Sequence, residues 1–176
     1  MTATRLSIIS ALEDGIDHIR GPEGAPVLLE YGDYECPFSR RAFRAIEQVE
    51  RLRPDGVRFV FRHFPLVEIH PHALAAAVAA EAAALQGRFW EMHGLLFHHQ
   101  RALEDRGLHV YAREAGLEPR RFGRDRHGRG TLARVGRDLA SGRASGEVNG
   151  TPTLFVDGVV HRGAYDVESL LAALPR

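Results

Sequence analysis

The segment Val27-Leu-Leu-Glu-Tyr31 runs through Gly-Asp-Tyr-Glu into Cys36-Pro37-Phe38-Ser39-Arg40. An apolar run of strand length, a short polar turn and then apolar residues at helical spacing describe a buried strand feeding directly into a helix. The chain's only cysteine sits at that junction. The first N–H groups of a helix have no intrahelical partner and carry partial positive charge, which favours a thiolate placed there. Pro37 suits the first helical position, where a missing N–H costs nothing. A lone cysteine is commonly a buried structural residue; the junction and the following proline favour a reactive thiol instead.

The pattern around this junction is that of a βαβ unit. Phe43, Ile46, Val49 and Leu52 recur at helical spacing until Arg53-Pro54-Asp55-Gly56 ends the helix. Val57 to Phe64 reads as a second strand, with Val57, Phe59 and Phe61 on one face, Val60 on the other, and Pro65 as its stop. The two strands are expected to be parallel, joined by a right-handed crossover. Upstream, Asp17 to Arg20 reads as a short strand closed by Gly21-Pro22, and residues 1–16 as a short helix or loose arm.

Downstream, the alanine-rich stretch Ala73–Gln86 favours helix strongly. Phe89 to Phe97, Leu108–Ala115 and Leu132–Leu139 read as further helices, with breaks at Gly87, Gly116 and Gly123 to Gly130. Thr153–Val156 and Val159–His161 flank Asp157-Gly158, a two-residue sequence suited to a type I′ hairpin turn. Asp166 fits the N-cap of a last helix with Val167, Leu170, Leu171 and Leu174 inward. The predicted class is α/β, divided into an arm (1–16), a βαβ part (17–69), a helical insertion (70–146) and a ββα part (147–176).

The 176 residues suit one domain with a substantial core or a large insertion. Every basic residue is arginine, and 23 basic residues balance 23 acidic ones, which offers no overall attraction for nucleic acid or an anionic membrane. One cysteine excludes an intramolecular disulfide and argues against a multi-cysteine zinc site. Leu6 to Leu12 is only weakly apolar, no small-residue cleavage pattern follows it, and no run approaches the ~20 residues of a membrane span. A cytoplasmic location with no membrane contact is the expectation.

Thr151-Pro152 stands just before the hairpin. A proline opening a strand is often only an edge device, but with Cys36-Pro37 upstream it completes a pattern. The chain resembles the DsbA-like thioredoxin-fold family, in its bacterial branch with a compact helical insertion. The resemblance is carried, in order, by Glu30 to Ser39, Phe61-Arg-His-Phe-Pro-Leu66, His70-Pro71, Ala79-Ala-Glu-Ala-Ala83, Gln86-Gly-Arg-Phe-Trp90 and Asn149-Gly-Thr-Pro-Thr153, over about three quarters of the chain. It implies a thioredoxin fold with a helical domain between the βαβ unit and the C-terminal hairpin–helix unit. It also implies thiol–disulfide chemistry, with Pro152 cis beside Cys36 and the Thr151 backbone facing the substrate. Similar domains occur alone or fused to sodium/proton antiporters.

The family's motif is Cys-Pro-x-Cys, and Ser39 stands at its second thiol. Serine can hydrogen-bond a Cys36 thiolate but cannot attack a disulfide, so dithiol turnover within one chain is excluded and an external thiol must resolve the intermediate. Glutathione or another low-molecular-weight thiol is the expected co-substrate, with no bound cofactor. Glu30 matches a buried acid that relays protons in thioredoxin-like proteins; burial would raise its pKa, and an edge-exposed Glu without a role is the alternative. Phe38 cannot stabilise a thiolate as a histidine there would.

Cys36, Ser39 and Glu30 are therefore the expected catalytic residues, and Pro37, Phe38, Thr151 and Pro152 the expected substrate contacts. Partners would be disulfide-containing or S-thiolated proteins or small disulfides; the oligomeric state is not set by the sequence. A thiol transferase or isomerase would use the same groove. A binding module presenting the Pro152 groove to a peptide, with Cys36 incidental, is the reading from another class.

Ten histidines include His70, His72, His93, His98 and His99, but none forms the i, i+4 helical pair of a zinc site, and no metal is expected. His63 and His70 read as packing or loop residues. Arg120, Arg121, Arg124, Arg126, Arg129, Arg134 and Arg137 are countered locally by Asp125 and Asp138, have Phe122 as their only aromatic, and read as a solvated face rather than a nucleic-acid surface.

Overall fold

The computed structural model describes residues 11–13 and 15–175. The expected arm thus lies largely outside the described residues. The elements are β1 (His18–Arg20), β2 (Val27–Gly32), α1 (Pro37–Leu52), β3 (Arg58–His63), α2 (Ala73–Ala84), α3 (Phe89–His98), α4 (Asp105–Glu114), α5 (Pro119–Asp125), α6 (Arg129–Ser145), β4 (Thr153–Val156), β5 (Val159–Val160) and α7 (Val167–Ala173).

The strands form one sheet in the order β1-β3-β2-β4-β5. β2 and β3 pair in parallel with Leu28 opposite Phe59 and Glu30 opposite Phe61; the other pairs are antiparallel. This is a thioredoxin βαβ core, an inserted helical bundle, and a C-terminal hairpin–helix unit. β2 is the central strand, and its alternation sends side chains to two cores. Leu28 joins Phe59, Phe61 and Leu154 in a cluster with α1, α2 and α3. Leu29 and Tyr31 join Val60, Phe64 and Phe155 on the opposite face, where α6 packs. The helix approaches closely at Gly142, where a Cβ would lie 2.9 Å from the Phe64 ring.

Local chemistry explains several element ends. Asp166 accepts the Ser169 N–H at the start of α7, and Glu118 accepts from the N–H groups of Arg120 and Arg121 at the start of α5. Asp157 and Gly158 take φ of 46° and 82°, the left-handed pair that a type I′ turn requires.

Three details differ from the sequence pattern. Leu52 and Leu132 are exposed, at 64% and 52%, because each lies past the edge of its helix's apolar stripe. Gly123 lies inside α5, a short helix that its Glu118 cap and Pro119 start without periodic apolar residues. The arginine cluster divides: Arg126 pairs with Asp105 and Arg137 with Glu13, and Arg134 bonds the Ile16 carbonyl as well as Asp138 of its own helix, so these three tie segments together rather than form one solvated face.

An ion pair is buried beside the sheet. Arg62 on β3 makes two parallel bonds to Asp17, from Nε at 2.9 Å and Nη2 at 2.8 Å, and Nη1 donates to the Tyr31 hydroxyl at 3.0 Å. Both charged side chains are inaccessible to solvent. Removing one partner of such a pair leaves an uncompensated buried charge, a loss of about 3–5 kcal/mol. Asp17→Ala is therefore expected to lower unfolding stability by about 3 kcal/mol or more in urea titration; a change below about 1 kcal/mol would show the pair to be dispensable.

Candidate functional site

The site is built where β2 ends. Cys36 is the N-cap of α1, with extended backbone (φ −73°, ψ 121°) and Pro37 following as the first helical residue. Cys36 is 2% exposed. Its Sγ donates to the Thr151 carbonyl at 3.2 Å, a contact that needs the proton on sulfur. The Thr151–Pro152 bond is cis. The Cys36–Thr151 bond sets the loop before β4 against the helix start, 115 residues away in sequence.

Asp33 holds the turn between strand and helix. Its Oδ1 accepts the Glu35 N–H at 2.8 Å, and its Oδ2 accepts the Leu66 N–H at 2.9 Å and bonds His70 Nδ1 at 2.7 Å. Its own N–H donates to Ser39 Oγ at 3.2 Å, and its carbonyl accepts from Cys36 N–H at 3.1 Å. Gln100 braces the other side: Nε2 donates to the carbonyls of Tyr34 and Cys36, each at 2.8 Å. The sequence reading passed over both residues. Asp33 had a signal, an aspartate two residues before an N–H in a turn; Gln100, from the loop after α3, had none.

Ser39 is fully buried, and its hydroxyl serves the Asp33 amide. Cys36 turns to Thr151 instead. Phe38 is 54% exposed and, with Thr151, Pro152 and Tyr165, lines an open groove of about 360 Å³. Pro37 is exposed at the same helix start. Thr151 Oγ1 is buried with no partner.

Glu30 lies on the face of β2 that carries Leu28, fully buried, with neither carboxylate oxygen hydrogen-bonded. Desolvation raises its pKa from 4.5 to about 8, only weakly opposed by Arg20. The exposed alternative for Glu30 does not hold. Gly32 makes room here: a Cβ would sit 2.4 Å from the Phe61 ring and 2.8 Å from Glu30 Oε1. Nearby, Tyr34 OH bonds His93 Nδ1 at 3.0 Å, and burial holds that imidazole well below its ordinary pKa. His70 and His72 are taken up by Asp33 and Glu35.

A family model described as Thioredoxin matches residues 13–176. The sodium/proton antiporter NhaA 1 of Mycolicibacterium vanbaalenii is 46% identical over 172 residues, covering 96% of this chain and 28% of that protein; the chain thus spans about a quarter of that relative's length. A thioredoxin-like oxidoreductase from Silicibacter pomeroyi superposes with a TM-score of 0.81 at 30% identity, covering 97% of this chain and 95% of that one. α-DsbA1 of Wolbachia pipientis superposes at 0.77 and 17% identity over 92% and 90% of the two chains. The chain belongs to the thioredoxin family, as a domain resembling DsbA-like oxidoreductases that is also found joined to NhaA-type antiporters. The cytoplasmic expectation does not stand: oxidoreductases of this kind typically act outside the cytoplasm. The character of an N-terminal stretch and of the apolar runs does not fix a compartment. Among the described residues, no helix is long and apolar enough to cross a membrane.

The raised pKa of Glu30 has a signed consequence. Unfolded, the carboxyl ionises near 4.5; folded, it keeps its proton to about pH 8. Between these values the unfolded chain holds fewer protons, so this group's contribution to stability falls as pH rises and levels off above about pH 8. Glu30→Gln, which removes the titration, is expected to gain on the parent from about pH 5 to pH 8 by a few kcal/mol in urea unfolding. A parent–variant difference independent of pH would show that Glu30 is not the group paying for burial.

Proposed function

We propose that the chain is a monothiol member of this family that exchanges disulfides through Cys36. The Cys36 thiolate attacks one sulfur of a disulfide R–S–S–R′; the Cys36–S–S–R bond forms, the S–S bond of the substrate breaks, and R′–S⁻ leaves. A second, external thiolate then attacks the R sulfur, which returns Cys36 as thiolate and carries R away in a new disulfide. No net oxidant is needed, because one disulfide is consumed and one is produced. Glutathione or another low-molecular-weight thiol is the resolving class, and an S-thiolated protein or small disulfide is the substrate class.

The observation that carries this reading is the placement of Cys36 at the α1 N-terminus, with its Sγ 3.2 Å from the Thr151 carbonyl beside the open Pro152 groove. An extended substrate in that groove would pair with the Thr151 backbone as an added strand, with Phe38 and Pro152 as its apolar walls. Helix N-terminal amides favour the leaving and attacking thiolates. Glu30, neutral below about pH 8 and on the strand that leads to Cys36, is suited to give and take a proton. Ser39, by holding the Asp33 amide, keeps the turn in place.

A second reading has an observation of its own. The thiol is almost fully buried, and the relatives at about 45% identity are described as antiporters, not oxidoreductases. In that reading the Pro152 groove binds a peptide segment, in antiporter-linked relatives one belonging to the transporter, and Cys36 is incidental.

Incubation with oxidised glutathione separates the two. The exchange reading expects a single glutathione adduct on intact mass, absent from Cys36→Ala and removed by reduced glutathione, with a mixed-disulfide substrate turned over many times per chain. Absence of the adduct on the folded chain, or an adduct that reduced glutathione does not release, would contradict it.

A further inference from the structure

A second cluster of chemistry-bearing residues lies away from the thiol. β1 and β3 are antiparallel with His18 opposite Phe61, which makes His63 the diagonal neighbour of His18 on the same face. Both imidazoles turn towards Glu81 on the buried side of α2. His18 Nε2 and His63 Nε2 each lie 2.7 Å from the same oxygen, Glu81 Oε1. The donor atoms of the three residues all fall within 4.8 Å of one another. The His18 ring is fixed by stacking on Phe89 at 3.4 Å and 6°. His63 is fixed through its backbone, whose N–H donates to Asp138 at 2.9 Å.

We propose that His18, His63 and Glu81 form a binding site for a divalent transition-metal ion of the zinc type. Two imidazole nitrogens and one carboxylate oxygen are a donor set that zinc accepts with a fourth position left for water, whereas calcium and magnesium require mostly oxygen ligands. The fourth ligand has a route: His18 and Glu81 line an open pocket of about 580 Å³ beside Trp90, Thr131 and Arg134. The Arg134 guanidinium, the cation lining that pocket, is engaged by Asp138 and the Ile16 carbonyl.

The geometry asks for a small adjustment. Ligand atoms at zinc bonding distance and tetrahedral angle stand about 3.3 Å apart, so the 2.7 Å separations must open by about 0.6 Å. Side-chain torsions in three elements suffice for that. His63 Nδ1 is buried without a partner; a zinc-bound histidine normally has one, and its lack weakens a site by about 10–100-fold. The site is therefore of moderate affinity. The alternative is a hydrogen-bonded triad in which both imidazoles donate to Glu81 and no ion enters.

The test is made on the full chain, free of any affinity tag and carrying Cys36→Ala so that the thiol cannot be the ligand. Zinc chloride is titrated calorimetrically and the retained metal is counted after gel filtration. One zinc per chain is expected, with a rise in melting temperature of about 5–10 °C at a hundredfold excess over Kd. His18→Ala, at the accessible edge strand, and Glu81→Gln, which keeps shape and hydrogen bonding, are each expected to weaken binding at least tenfold. Absence of stoichiometric zinc overturns the site, as does binding unchanged in a folded His18→Ala chain. If Glu81→Gln does not fold, His18→Ala alone decides.

Discussion

The turn that joins the central strand to the cysteine-bearing helix hangs on one carboxylate. Asp33 receives an amide from within its own loop, an amide from the segment after β3, and the imidazole of His70. Its backbone holds Cys36 and Ser39. A buried charge of this kind is tolerable only when its lone pairs are filled, and filling them fixes where the helix begins. The position of the thiol under the Thr151 carbonyl follows from that beginning. Gln100 extends the same restraint to the helical insertion by bonding the carbonyls on either side of Glu35, so the insertion is mechanically part of the site.

Two buried carboxylates on the same side of the sheet are treated in opposite ways. Glu30 has no partner, and desolvation leaves it protonated to about pH 8. Burial pushes Glu81 in the same direction, but hydrogen bonds from His18 and His63 outweigh it and hold the carboxyl well below its ordinary range. One acid is thus neutral in an apolar wall and the other a fixed anion between two imidazoles. The difference comes from register: Phe61 lies beside Glu30 across the parallel pair, whereas His63, two residues further along β3, reaches Glu81.

Much of this was legible in the sequence because it is written in local signals. The apolar run at Val27, the helical stripe through Phe43, Ile46 and Val49, the Asp157-Gly158 turn and the Asp166 cap each depend on neighbouring residues, and each took the expected form. Of the two readings the sequence leaves for Glu30, buried or edge-exposed, the central strand decides for burial. What escaped depends on residues far apart. Gln100 reaches Cys36 across 64 positions and the buried pair of Arg62 with Asp17 spans 45. The His18–His63–Glu81 cluster draws on three elements and so has no helical i, i+4 spacing to announce it. Ser39 was expected at the thiol, but the Asp33 amide is its partner, a choice made by loop geometry that no residue pattern encodes.

Exchange through Cys36, as proposed, requires that the fold activate the thiol rather than hide it. The most direct measurement is the rate constant for reaction of Cys36 with a small symmetric disulfide, compared between the native chain and the same chain unfolded in urea at the same pH. Activation at the helix terminus predicts that the native thiol reacts faster, by about tenfold or more. A native rate below the unfolded one would mean that burial protects an inert cysteine, and the exchange mechanism would fall with it.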